Sequence, residues 1–222
     1  MNYTVSSINP SETYDWLLNK HYARRIPSIS YSFGLYSDRL EGVCTFGSGA
    51  NRNMHNMIEG YSCIELNRLV TSEVLESNAL SYFVSQCLKK LPPPMVVVSY
   101  ADQNKGHNGY IYQATNWVYT GQGTRKNGRT DKGVTLFEKD GKEYHAKTVN
   151  EIIGSCSEKN ARKHGFKRLF LKPKHRYFYF IGTKKDKRLM AEKLPYPKLP
   201  YPKGENQRYD ASYKPNTQET IF

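Results

Sequence analysis

Three consecutive prolines, Pro92-Pro93-Pro94, stand directly before the longest unbroken aliphatic run in the chain, Met95 to Val98. No helix continues through such a stop, because proline lacks the amide donor and clashes with the preceding turn. The run is too short for a helix of its own, and Met95 to Tyr100 reads as a continuous buried strand. A strand buried on both faces belongs to the inside of a sheet covered by helices. The pattern before it agrees. Leu80, Phe83, Val84, Cys87, Leu88 and Leu91 recur at helical spacing, behind Ser77 or Asn78 as the N-cap.

The rest of the chain extends this strand–helix alternation. Tyr3 to Ser6 reads as a short strand. A helix opens at Pro10-Ser11-Glu12 with Ser11 as cap, carries Tyr14, Leu17, Leu18 and Tyr22 on one face, and is stopped by Pro27. Ser30 to Tyr36 and Gly42 to Gly47 read as a hairpin, residues 48 to 60 as a loop, and Cys63 to Val70 as a strand. After Met95 to Tyr100 come a helix from Gly109 to Thr115 and a strand from Trp117 to Thr120. Gly121 to Gly133 follows as a basic, glycine-rich loop. Leu136 to Glu138 and Lys142 to His145 form a hairpin around Asp140-Gly141, Thr148 to His164 one helix, and Tyr177 to Gly182 a last strand. The echo Leu194-Pro195-Tyr196-Pro197-Lys198 and Leu199-Pro200-Tyr201-Pro202-Lys203 reads as stiff extended backbone. The end beyond Gly204 reads as a flexible tail.

Charge is distributed unevenly. Lys159 to Lys203 carries 15 Lys/Arg against Asp186 and Glu192, an excess that equals the net charge of +13 for all 222 residues. Aromatic residues interleave with it, from Phe166 to Tyr201. Basic groups neutralise phosphates and rings stack on bases, so this stretch points to nucleic acid as partner. The plainer reading, a solvated basic face over core strands, stands beside it. The expected organisation is a catalytic core over 1–158, a basic aromatic stretch over 159–203 that completes the core and contacts DNA, and the tail 204–222.

Other classes are excluded or disfavoured. No apolar stretch reaches the roughly 18 residues of a membrane span. The first residues lack the basic and apolar regions of a signal peptide, which makes the cytosol the default. Cys44, Cys63, Cys87 and Cys156 form no Cys-x-x-Cys pair, so they read as small buried apolar residues and not as zinc ligands. An adenine methyltransferase is disfavoured, since Leu91-Pro92-Pro93-Pro94 lacks the polar first and aromatic last residue of the Asp/Asn-Pro-Pro-Tyr/Phe motif, and no Gly-x-Gly-x-x-Gly follows a strand.

The element order resembles the GNAT-type acetyltransferase fold, an α/β (α+β) mixed central sheet flanked by helices. Here it carries a basic C-terminal extension. Three motifs narrow the resemblance: His21-Tyr22-x-x-Arg25-Ile26-Pro27; Glu65-Leu66-Asn67-Arg68-Leu69; and Ser99-Tyr100-Ala101-Asp102 followed by Gly106-His107-x-Gly109-Tyr110-Ile111-Tyr112-Gln113-Ala114-Thr115-Asn116-Trp117. Over roughly residues 15 to 121 the chain resembles the Mom family of phage DNA adenine-modification proteins. The resemblance implies conversion of adenine N6 in double-stranded DNA to an acetamido-type (methylcarbamoyl) form and acetyl-coenzyme A as donor. It also implies protection of phage DNA from host restriction inside a bacterial host, and an iron dependence. His21, His55 and His107 show no ligand spacing for a metal, and no metal ligand is assigned.

Several residues then become candidates. Asp102, at the end of the buried strand, suits accepting or steering the proton of the weakly nucleophilic N6 amine; it equally suits capping a turn. Tyr112 is the expected general acid for the departing thiolate, with Tyr110 as substitute, against the alternative of a core ring. His21, which closes the first helix ahead of Arg24 and Arg25, is a candidate to face the adenine or a metal, against the alternative of an ordinary surface or core histidine. Arg68, Ser77, Asn78 and Ser81 are the expected cofactor contacts, Arg68 through its guanidinium and the others at a helix N-terminus. The usual glycine-rich pyrophosphate loop is missing, since Thr71 to Ala79 contains no glycine and two acids, Glu73 and Glu76. Arg24, Arg25, Arg125, Lys126, Arg129, Lys174 and Arg176 are the expected DNA contacts. A transferase acting on a protein or small amine, and a non-enzymatic DNA-binding module, are the alternatives. The oligomeric state stays open, a homodimer included.

Overall fold

The computed structural model describes residues 2–49, 54–73, 75–123 and 135–204. Ten strands run in chain order: β1 (Thr4–Ser7), β2 (Tyr31–Tyr36), β3 (Leu40–Gly47), β4 (Ser62–Thr71), β5 (Met95–Ala101), β6 (Val118–Gln122), β7 (Thr135–Lys139), β8 (Lys142–His145), β9 (Lys167–Phe170) and β10 (His175–Ile181). Five α-helices join them: α1 (Ala79–Lys90), α2 (Tyr110–Ala114), α3 (Ala146–Ile153), α4 (Glu158–Lys163) and α5 (Lys184–Glu192). The chain divides into two units. Among the described residues the first comprises 2–101, Asn108–Gly121 and 175–204; the second comprises Asp102–His107 and Gln122–Lys174.

The first unit holds a seven-stranded mixed sheet in the order β1-β2-β3-β4-β5-β10-β6. The expected α/β architecture, a central sheet flanked by helices, is therefore what the chain forms. The residues of β5 alternate between two cores, as strand geometry requires. Met95, Val97 and Ala101 join Phe83, Val84, Cys87 and Leu88 of α1, together with Trp117 and Tyr177. Val96 and Val98 join Phe178, Phe180 and Met190, the last from α5. Each such side chain contributes about 1.5–3 kcal/mol when fully buried. Cys44, Cys63 and Cys87 lie in this core as free thiols, and Cys156 is half-buried.

One pairing sets up everything that follows. β4 and β5 are parallel and paired only from Ser62↔Met95 to Glu65↔Val98. Beyond that point the two strands part. β4 also carries a bulge: the β3 register steps from Thr45↔Arg68 to Phe46↔Leu66, which leaves Asn67 as the extra residue. The Asn67 side chain fixes the bulge by accepting from Thr45 Oγ1 and donating to the Ser28 carbonyl.

Local predictions needed correction at several points. The cap of the first helical segment is Asn9, not Ser11; its side chain accepts from Ser11 N and Glu12 closes a capping box. The segment is also not one regular α-helix. It is a 3-10 turn, Pro10–Thr13, followed by a π turn, Trp16–Lys20. Accordingly Trp16 and Leu17 are buried, whereas Tyr14 and Leu18 are exposed. The long helix expected from Thr148 to His164 is two helices, because Gly154 takes a left-handed φ of 74° between them. β9 and α5 were not foreseen.

The second unit holds a three-stranded sheet, β8-β7-β9. Its core is Phe137 of β7, Val149 of α3, Ala161 of α4 and Phe166 from the turn between α4 and β9. The expected stretch 159–203 thus divides between the units at Lys174 and His175. The C-terminal repeat is extended, as its prolines dictate, and it is attached to the first unit. Leu199 N–H donates to the Tyr119 carbonyl of the edge strand β6. Tyr201 Oη donates to the Trp117 carbonyl. No described helix is long and apolar enough to cross a membrane.

Candidate active site

In the first unit, the parting of β4 from β5 gathers the polar groups. Ser99, the polar residue inside the apolar run of β5, is 1 % exposed. Its Oγ lies 2.8 Å from the Leu66 carbonyl across the gap and 2.7 Å from the Tyr112 hydroxyl. A serine has one proton to give. The carbonyl can only accept, so the arrangement that satisfies all three groups has Ser99 donating to Leu66 and Tyr112 donating to Ser99. Tyr112 is held from the other side as well. Its ring lies 5.0 Å from Trp117 and 5.1 Å from Tyr177. Gly109, which starts α2, has φ 76°, and a Cβ there would strike the Tyr177 ring, so only glycine brings α2 this close. Tyr177 in turn donates to the Asn108 carbonyl.

The structure separates the two expected phenols. Tyr110 is 62 % exposed and Tyr112 only 8 %. Burial pushes the Tyr112 phenol well above the ordinary 10; the Ser99 hydrogen bond works against this, while Tyr22, Cys44 and Glu65 add to it. Tyr112 is therefore a fully protonated donor at neutral pH.

Glu65, at the last parallel pair, acts on four ionisable groups of this region, Cys63, Arg68, Tyr100 and Tyr112. It raises the Cys63 thiol and the Tyr100 phenol further, after burial, and favours the charged form of Arg68. Gly49 lies beside it, and a side chain there would push the ends of the Met54 and Glu65 side chains aside. Arg68 follows the Asn67 bulge and donates through Nη1 to the Asn67 carbonyl at 2.6 Å. Its Nε is buried with no hydrogen-bond acceptor among the described residues. Burial lowers its pKa; Tyr22 and Glu65 oppose this, and Arg25 adds to it. An orphaned guanidinium N–H of this kind is a ready donor to an anion or carbonyl.

His21 ends the π turn and is 8 % exposed. Its ring stacks on Tyr22 at 4.3 Å, and Nδ1 accepts the Ala23 N–H at 2.9 Å. With Nδ1 accepting, the neutral ring carries its proton on Nε2, so this histidine presents a donor and not a base. Arg24 adopts φ 40° and Arg25 is exposed. The helix-terminus candidates are less engaged. Ser77 and Asn78 are exposed, the Asn78 side chain makes no cap bond, and Ser81 Oγ donates to the Asn78 carbonyl.

Asp102 belongs to the second unit, where it caps the turn Gln103–Lys105 through Asn104 N and forms a 3.1 Å ion pair with Lys174 Nζ. Burial alone would raise its pKa, but Lys174 and the Asn104 bonds outweigh burial and hold it below the ordinary value. Lys174, expected at the DNA backbone, is thus committed to Asp102. His107, in the same unit, is lowered by burial and by Lys174 and raised by Asp102. Arg176 is buried in the first unit. It donates to Thr120 Oγ1 and the Thr120 carbonyl and lies 3.4 Å from the Tyr196 ring centroid. Arg125, Lys126 and Arg129 lie outside the described residues.

Sequence reasoning assigned no role to Ser99, Glu65, Tyr22 or the Asn67 bulge. Ser99 did carry a signal, a lone hydroxyl inside an otherwise apolar run. For iron, no group of three or more His, Cys, Asp or Glu converges among the described residues. The described residues do not fit an iron site, and no step is derived through one.

Comparison with known proteins agrees with the motifs. The sequence model of the Mom protein family matches residues 2–198. The methylcarbamoylase Mom of Escherichia phage Mu is 31% identical over 201 residues, covering 80% of this chain and 76% of that protein. Among solved structures, an HPA2-related acetyltransferase from Corynebacterium glutamicum superposes with a TM-score of 0.46 at 10% identity, covering 82% of this chain and 98% of that one. A putative acetyltransferase from Acinetobacter baylyi gives 0.45 at 11% identity, covering 82% and 94%.

Proposed function

Given that the chain belongs to the Mom protein family, we propose that it is a DNA-modifying enzyme that converts adenine N6 to an acetamido-type (methylcarbamoyl) form. In this reading acetyl-coenzyme A is the acyl donor and the modification protects phage DNA from restriction. The observation that carries the reading is the parted β4–β5 pair with the Tyr112–Ser99–Leu66 hydroxyl chain inside it.

Each residue then has a physical task. N6 is paired in the major groove of duplex DNA, so the target adenine is flipped out of the stack before it reacts. The donor supplies an acyl carbon activated by its thioester. Arg68, with its unpaired Nε, supports binding of an anionic or carbonyl group at the β4 end of the gap. The N-terminus of α1 supports a pyrophosphate less well, since Glu73 and Glu76 precede it and Ser81 has turned its hydroxyl to Asn78. Tyr112 gives its proton to the departing thiolate. Ser99 then rotates its own proton from Leu66 to the new phenolate, which stabilises the charge until Tyr112 takes up the proton that N6 sheds as the N6–C bond forms and the C–S bond breaks. His21 orients the base through its Nε2–H. Asp102, in the second unit, is held ionised by Lys174 and engaged by Asn104. Arg24 and Arg25 neutralise backbone phosphates. Acyl transfer alone does not supply the additional nitrogen of an acetamido group, so a further co-substrate takes part.

The test is direct. Protein, plasmid DNA and acetyl-coenzyme A are incubated, the DNA is digested to nucleosides, and deoxyadenosine is examined by mass spectrometry, in parallel with DNA from cells expressing the protein. A heavier deoxyadenosine is expected. Unmodified deoxyadenosine in every arm, including cells, overturns the proposal.

A further inference from the structure

The chemistry residues leave the second unit with no task beyond holding Asp102, yet its helices carry a pattern of their own. α3 and α4 are joined by four residues, Gly154 to Ser157. Gly154 turns left-handed, and Ser157 caps α4 by accepting the Asn160 N–H. Asn160 Nδ2 donates back to the carbonyls of Ile153 and Ser155. The turn is thus locked by hydrogen bonds from the second helix to the end of the first. Val149 and Ala161 face inward onto Phe137 and Phe166. Two helices, a short turn with a left-handed glycine and a capped second helix are the parts of a helix-turn-helix, in which the second helix enters the major groove.

The outer side of α4 fits that partner by charge. Lys159, Arg162 and Lys163 stand at i, i+3 and i+4, so they share one face. All three are exposed, and Lys167 is exposed just beyond. Glu158 lies at the edge of this face, 3.8 Å from Arg162 and 3.5 Å from Arg168. Lys159, Lys163 and Lys167 have no carboxylate partner among the described residues. The face is the side of the helix and not its N-terminus.

We propose that α4 is the helix by which this protein holds duplex DNA, with Lys159, Arg162 and Lys163 on the DNA. The proposal rests on the reading that DNA is the substrate, and it separates gripping the duplex from reacting with the base. It is tested by titrating a fluorescent 30-base-pair duplex across a salt series. Three proteins are compared: the parent, K159A/R162A/K163A, and K184A/K185A/K187A, which removes the same charge from exposed positions on α5. The α4 variant is expected to bind about 10- to 1000-fold more weakly, with a log–log salt slope shallower by about 2–3, while the α5 variant shifts the slope by less than about 1. The α4 substitutions are exposed, so unchanged thermal unfolding is expected, and K159R/K163R should bind like the parent. Parental affinity in the α4 variant, or equal losses in both variants, overturns the proposal while leaving the reading of DNA as substrate intact. Tighter parental binding to an RNA hairpin than to the duplex also overturns it. Absence of duplex binding by a parent that modifies no DNA in cells removes both.

Discussion

Taking one oxygen from Tyr112 separates its chemistry from its packing. In Tyr112→Phe the ring keeps its neighbours Trp117 and Tyr177, and Ser99 keeps its bond to Leu66. Stability should fall by only about 1 kcal/mol, the value of one hydrogen bond. Modified deoxyadenosine should fall about 100-fold or more, the range of a lost general acid. Wild-type yield from this variant would assign Tyr112 to the core alone. The residue scale is also where the sequence was most and least readable. Tyr112 and Arg68 were legible because motif spacing marks them. What set them in place was not. The Asn67 bulge depends on Thr45 and on Ser28, residues brought together by pairing and not by spacing. Arg176 shows the opposite failure. Its charge pointed to phosphate, whereas a sheet register facing the core buries it under Tyr196.

At the scale of elements, apolar periodicity located the central strands and α1 closely, since burial enforces that pattern. α5 was missed because six of the nine residues from Lys184 to Glu192 are charged, and only Met190 is buried. Its start was legible in hindsight, as Thr183 and Asp186 form a capping box. The C-terminal repeat also acts as an element. β6 is the edge of the seven-stranded sheet, and an open edge invites pairing with other chains. The repeat covers it through Leu199 N–H and Tyr201 Oη. Leu199→Pro removes the first donor and Tyr201→Phe the second. Together they should lower the unfolding temperature by roughly 5–15 °C and raise light scattering on mild heating. A variant as heat-stable and as free of scattering as the parent would show that the repeat does not guard the edge.

For the whole molecule, the buried titratable groups set a window of stability. His175 is lowered from 6.5 by burial, and Tyr119 Oη lies 2.7 Å from its Nδ1. Below pH 6.5 the unfolded chain takes up a proton that the folded chain refuses, so unfolding gains protons and stability falls with acid. Tyr100 and Tyr177 are raised from 10 to about 12, both mainly by burial. Between pH 10 and 12 the folded chain holds protons that the unfolded chain has lost, so stability falls again with base. The urea midpoint should therefore be highest between about pH 7 and 9, and Tyr100→Phe should flatten the alkaline limb. A midpoint constant from pH 9 to 11 would contradict this.

The connection from β6 to β10 has a different consequence. These strands are neighbours in the sheet, and the Gly123 N–H is bonded to the Lys174 carbonyl at 2.8 Å where the intervening chain leaves and returns. A coding sequence cut at Gly123 and Lys174 and rejoined through a short turn would leave all seven sheet strands continuous, so the stretch between them is open to insertion, loss or exchange without a break in the sheet.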